Sequence, residues 1–209
     1  MTKPDKTNLS ADFLIAEFNA IQERAMGLEE IKSGRINFFL IIVAAIIAGI
    51  SGLTNAAIVQ QSYPEIILVG AALVLILGVS TLKSVVNYSV AIVILFRKAG
   101  RVRRWFLEND TKIKNYLPFE SNDDRPRIQI SLISWRGGEA ILLIINAVAA
   151  SIVVGMGLSY LSQTWAVIGA GGTLPFTWLI QVWSIKRHLK KHEQLESKNA
   201  LFSSVAHDP

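Results

Sequence analysis

The 209-residue chain predicts an all-α, polytopic membrane protein with four transmembrane helices in two hairpins. An amphipathic cytoplasmic helix precedes them, and the second span carries a cytoplasmic extension. Three observations predict it. Residues 36–59, 66–82, 140–161 and 165–183 contain no charged side chain, and each block is close to the roughly 20 residues a helix needs to cross about 30 Å of hydrocarbon. A chain of this size has too little interior to bury four such helices away from lipid. Finally, 20 of the 21 Lys and Arg residues lie in 1–35, 97–139 and 184–209, whereas the connections at 60–65 and 162–164 hold none.

That asymmetry sets the expected topology, because basic residues near span ends stay on the cytoplasmic side. The stretch 66–96 carries one charge, Lys83, over 31 residues. If it crossed twice, the second crossing would have only the 12 residues 85–96, too few for the bilayer. A single crossing puts all 20 basic residues on one side and both termini in the cytoplasm. The expected divisions are a cytoplasmic N-terminal helix (1–35), a first membrane hairpin with a long second helix (36–96) and a basic cytoplasmic loop (97–139). A second membrane hairpin (140–183) and a basic tail (184–209) follow. The polar N-terminus shows no cleavable signal peptide, and the absence of cysteine excludes disulfides and thiolate metal sites.

In the N-terminal segment, Leu14, Phe18, Ile21, Ala25 and Leu28 recur at steps of four and three, the seam spacing of a helix packed on other helices. Three destinations fit: the cytoplasmic extension of span two, in the same or a neighbouring subunit; a self-associating coiled coil; or the membrane surface. Leu14, Phe18, Ile21 and Leu28 are the oligomerisation candidates. In span one Gly49, Ser51 and Gly52, and in span three Asn146, Ser151, Gly155 and Gly157, fit close helix contacts and interhelical hydrogen bonds.

Span two carries a polar stripe, Ser80, Lys83, Ser84 and Asn87, at helical spacing. Such a stripe is costly in lipid and faces a bundle interior or a wet cavity. It reads either as helix packing with Lys83 reaching the headgroups or as a pore lining near the cytoplasmic mouth. In span four, Gly171, Gly172 and Pro175 mark a kink or a gating hinge.

The loop after span two opens "RKAGRVRRWF". Arg97, Arg101 and Arg104 recur along it beside Trp105, and guanidinium groups beside aromatic rings hold phosphates and stack bases. The same residues serve equally to anchor lipid headgroups or to meet a cytoplasmic protein. Further on, 128–135 fits a short strand or an interfacial helix. His188, His192 and Glu196 share a helical face but lack the H-E-x-x-H order of a zinc site. No catalytic constellation, metal site or cofactor is expected, and the chain does not read as an enzyme.

The "AEFNAIQERA" helix running directly into paired spans resembles small bacterial membrane effectors of anti-phage defence, paired with a nucleotide-making enzyme, as in the Hailong type. The resemblance covers the first 60 residues and the span count. It implies a homo-oligomeric pore in the bacterial inner membrane, opened by a nucleotide or oligonucleotide at its cytoplasmic part. The expectation is therefore an oligomeric channel or membrane-disrupting effector. The alternative is a non-conducting anchor that presents its N-terminal helix and basic loop to a cytoplasmic protein.

Overall fold

The computed structural model describes residues 6–52, 62–117, 119, 121–128 and 138–201. Over these residues the chain is helical, with no strand: α1 (Lys6–Gly52), α2 (Tyr63–Asn109), a 3-10 helix (Thr111–Tyr116), α3 (Glu139–Ser159) and α4 (Gln163–Lys198). Each of the four α-helices is long and apolar enough to cross a membrane, so the chain is, by length and composition, a multi-pass membrane protein. The end of the first apolar block, the connection before Ser62, and 129–137, within the stretch expected to form a strand or interfacial helix, lie outside the described residues.

The helices exceed the blocks that predict them. The 47 residues of α1 and of α2 each rise about 70 Å at 1.5 Å per residue, and the 36 residues of α4 about 54 Å. Only the 21 residues of α3 match the thickness of the hydrocarbon. α1 passes without a break through Gly34, so the N-terminal segment and the first span form one helix. An interior glycine costs a helix about 1 kcal/mol, less than abandoning the hydrogen bonds on either side of it. α4 likewise continues through Pro175, and two residues before it the Thr173 hydroxyl donates to the Gly169 carbonyl at 2.6 Å. A loose backbone in lipid would be costlier, because no water stands by to satisfy it.

By its contacts the chain divides into two units: Lys32–Asn87 with Ile130–Arg187, and Met1–Ile31 with Tyr88–Gln129 and His188–Pro209.

The first unit holds the apolar blocks. Its outer surface is itself apolar, with Ile41, Ile47, Ile76, Phe176 and Trp183 all exposed, the opposite of a water-facing bundle. Inside, Phe39 of α1, Val85 of α2, and Leu142, Leu143 and Asn146 of α3 are fully buried. Small residues set the closeness of approach, as expected where packing rather than water drives helix association. A methyl at Gly78 would overlap the Asn146 amide oxygen and come within 3.0 Å of the Phe39 ring; one at Gly155 would stand 2.9 Å from the Ala170 Cβ. Of the small residues in spans one and three that fit helix contacts, Gly155 is in one, whereas Gly49, Gly52 and Gly157 have nothing within 4 Å of such a methyl. Asn146 bonds between helices, its Nδ2 donating to Gln181 Oε1 of α4 at 3.2 Å. The Asn146 oxygen and the Gln181 nitrogen are buried without partners among the described residues.

The second unit has an apolar core of its own. Ile21 and Ala25 of α1 bury against Leu95 and Ala99 of α2, with Phe18, Leu28 and Phe96 packed around them. Glu23, Arg24, Glu29 and Glu30 are exposed on the same α1 turns, and so is Met26.

Candidate functional site

Within the first unit, α2 presents two different sides. Leu82, Val85 and Val86 are buried, while Ser80, Lys83 and Asn87 are exposed about half a turn away. The polar stripe therefore points away from the packed interior of its own chain. Ser84 is half-buried, and Arg35 of α1 donates from Nη1 to its Oγ at 3.2 Å. One turn before Arg35, Lys32 reaches Glu139, the first residue of α3, at 3.0 Å. Glu139 is almost fully buried, with 3% of its side chain exposed, so the lysine compensates a carboxylate that would otherwise be expensive at the end of an apolar helix. Gly138 precedes it at φ 69°, a conformation that glycine adopts without the Cβ penalty.

The arginines of the second unit sit on the last turns of α2, and each meets a different carboxylate. Arg97 keeps only 3% of its side chain exposed; its Nη2 donates to Glu193 of α4 at 2.6 Å, and its Nε donates to the Pro126 carbonyl at 2.9 Å. The same Glu193 oxygen accepts the Ile128 amide at 2.9 Å. Arg101 pairs through Nε with the fully buried Asp123 at 2.8 Å and through Nη2 with the Asn199 carbonyl at 3.1 Å. Asp123 Oδ2 also accepts the Leu201 amide at 2.9 Å. Arg104 pairs with Glu108 one turn on, at 2.9 Å, and half-buried Trp105 meets Phe106 edge-to-face at 5.0 Å. Buried charge-assisted bonds of this kind are short, and removing one partner costs more than the bond is worth.

The candidate ligand-binding set is thus not gathered around one opening. Arg97 and Arg101 clamp 121–128 and the end of α4 onto α2; Arg97 is buried in that contact, whereas 41% of the Arg101 side chain stays exposed. A backbone approach completes the clamp, because a methyl at Gly100 would lie 2.8 Å from the Asn122 carbonyl oxygen. Arg103, which the row of 97, 101 and 104 skips, is different. Its guanidinium lies over the rings of Phe18 and Phe119, and partial burial lowers its pKa from the usual arginine value. The sequence does carry a signal for it: Arg103 stands between Val102 and Phe106 on a helix that is one of the three destinations open to the Phe18 seam.

The oligomerisation candidates are used within the chain. Ile21 is buried in the core shared with Leu95 and Ala99, Phe18 and Leu28 pack on it, and Leu14 is half-buried. His188 and His192 stack with ring centroids 4.6 Å apart, and no cluster of metal-ligating side chains occurs among the described residues.

No protein family, curated protein or solved structure matches this chain.

Proposed function

We propose that this chain is one subunit of a homo-oligomeric membrane channel, or membrane-disrupting effector, whose passage lies between subunits. The observation that carries the reading is the outward stripe on α2. Ser80 and Lys83 are exposed on the side opposite Leu82, Val85 and Val86. A lysine and a serine turned out of their own bundle at membrane depth are best accommodated by a second subunit or water beside them, the alternative for the lysine being to reach the headgroups. Four spans in two hairpins, with both termini cytoplasmic, put Lys83 near the inner mouth. One ammonium per subunit there makes a ring of like charge that attracts anions and repels cations. As in the anti-phage effectors that the N-terminal helix resembles, the proposal includes opening from the cytoplasmic side by a nucleotide or oligonucleotide.

Planar-bilayer recording of the purified protein tests this. The wild type should conduct with a preference for anions, and Lys83→Glu should shift the reversal potential toward cation selectivity. A conducting protein whose ion preference ignores Lys83→Glu removes the stripe from the passage.

The closure of the second unit favours the other reading, a non-conducting anchor. Arg97 and Arg101 lock their own chain together through Glu193 and Asp123, which suits a rigid body held out for a cytoplasmic protein. No conductance at any concentration, with stable capture of such a protein, would select it.

A further inference from the structure

A cavity of about 470 Å³ opens in the second unit between α1, the end of α2 and the turn that follows. Its walls are mostly apolar, with Ile15 and Phe18 from α1, Val102 and Phe106 from α2, Ile113 from the 3-10 helix and Phe119 beyond it, and Gln22 adds one neutral polar side chain. Among the described residues one charged group lines it, the half-buried guanidinium of Arg103, whose Cζ stands 5.3 Å from the centroid of the Phe18 ring and 5.0 Å from that of Phe119. Arg97, Arg101 and Arg104 each have a carboxylate. No described carboxylate pairs with Arg103.

From this the geometry points to a binding site for one small amphipathic anion, a phosphate or carboxylate head on an apolar body, with Arg103 holding the head and the apolar wall the body. Cation–π contact orients a guanidinium and uses its charge, but consumes none of its five N–H donors. Those donors form a planar fork that fits two oxygens of a phosphate or carboxylate. The volume falls in the range of pockets that take a single small molecule, and such pockets are mostly apolar with a few polar groups that fix orientation. Partial burial strengthens the attraction, because an ion pair is worth several-fold more away from bulk water. An inorganic anion would leave the wall wet, and a neutral apolar molecule would leave the cation uncompensated; only an anion with an apolar body satisfies both. The site does not depend on whether the protein conducts.

The full-length protein in lipid nanodiscs, titrated calorimetrically with 1-naphthyl phosphate, tests it. Saturable binding at one molecule per chain is expected, with 1-naphthol and inorganic phosphate each at least tenfold weaker. Arg103→Gln should weaken naphthyl phosphate binding tenfold or more, and Arg103→Lys, which keeps the charge but loses the fork, by less. Phe119→Ala should weaken it several-fold. Because Phe119 is 66% exposed, that variant keeps the test decisive if Arg103→Gln fails to fold. Equal affinity for naphthol, wild-type affinity in Arg103→Gln, or wild-type affinity in Phe119→Ala would each overturn the assignment. Repeating the titration in discs of phosphatidylcholine alone and in discs one-third phosphatidylglycerol identifies the natural source. Competition by the anionic lipid assigns the site to a lipid headgroup, and equal affinity in both assigns it to a diffusible anion.

Discussion

Arg97 and Glu193 lie 96 positions apart in the chain, and their side chains meet at 2.6 Å. With the Pro126 carbonyl and the Ile128 amide on the same pair of side chains, this contact joins α2, the segment after the 3-10 helix and α4.

Breaking it from one side leaves an uncompensated charge. Arg97→Gln and Glu193→Gln are each expected to destabilise the second unit by about 2–3 kcal/mol, with the arginine variant the worse because its site is the drier. The double variant should lose clearly less than the sum of the two. Denaturant unfolding in detergent, followed by tryptophan fluorescence, measures all three; additive losses would mean that the pair is not coupled.

Gly78 and Asn146 make a second close contact, inside the first unit. Gly78→Ala places a methyl on the Asn146 amide and should cost about 1–3 kcal/mol by overpacking. Adding Asn146→Ala removes the obstruction, so the double variant is expected to be more stable than Asn146→Ala and Gly78→Ala added together. Thermal melts in detergent decide this, and a neutral Gly78→Ala would show that the helices separate readily there.

Ile21 tests the apolar seam. Placing Asp at this buried position against Leu95 and Ala99 should cost 3 kcal/mol or more, since no partner waits for the carboxylate. Limited proteolysis should then cut within α1 before residue 31. Oligomer size by light scattering separates the two roles open to the seam. Dissociation without new proteolytic sites assigns it to contacts between subunits, and new sites with unchanged size assign it to the interior of one.

The proposed topology predicts that reporter fusions after residues 61, 120, 163 and 209 read external, internal, external and internal. An internal reading at 163 would dissolve the second hairpin, and an external reading at 120 the first.

Four helices were legible because each apolar block is as long as the hydrocarbon is thick, a constraint imposed by the solvent and needing no knowledge of partners. The length of α1 and α2 was less legible. Gly34 reads locally as a weak point, and only hydrogen bonds on both sides of it carry the helix through. The seam around Ile21 announced itself by spacing, and one of the partners open to it, the extension of span two, is where it packs. The arginines show where local reading ends. Their helical row was visible, but the carboxylates that occupy Arg97 and Arg101 come from elsewhere in the chain, and nothing about residues 97–104 specifies them. Arg103 went unnoticed for the converse reason. Its distinction is that no carboxylate among the described residues pairs with it, and that is a property of the folded neighbourhood rather than of residues 97–104.

The pairing of Arg97 with Glu193 also has an order in time. A ribosome delivers Arg97 long before Glu193, so while α3 and most of α4 are being made the guanidinium stands without that carboxylate. Charge that guides a nascent segment through the insertion machinery is read during that interval, and the ion pair closes only once the end of α4 has emerged. One side chain can therefore act first as an address label for the growing polypeptide and afterwards as a fastening in the finished one. Mutating Glu193 should spare the first role and damage only the second, whereas mutating Arg97 touches both.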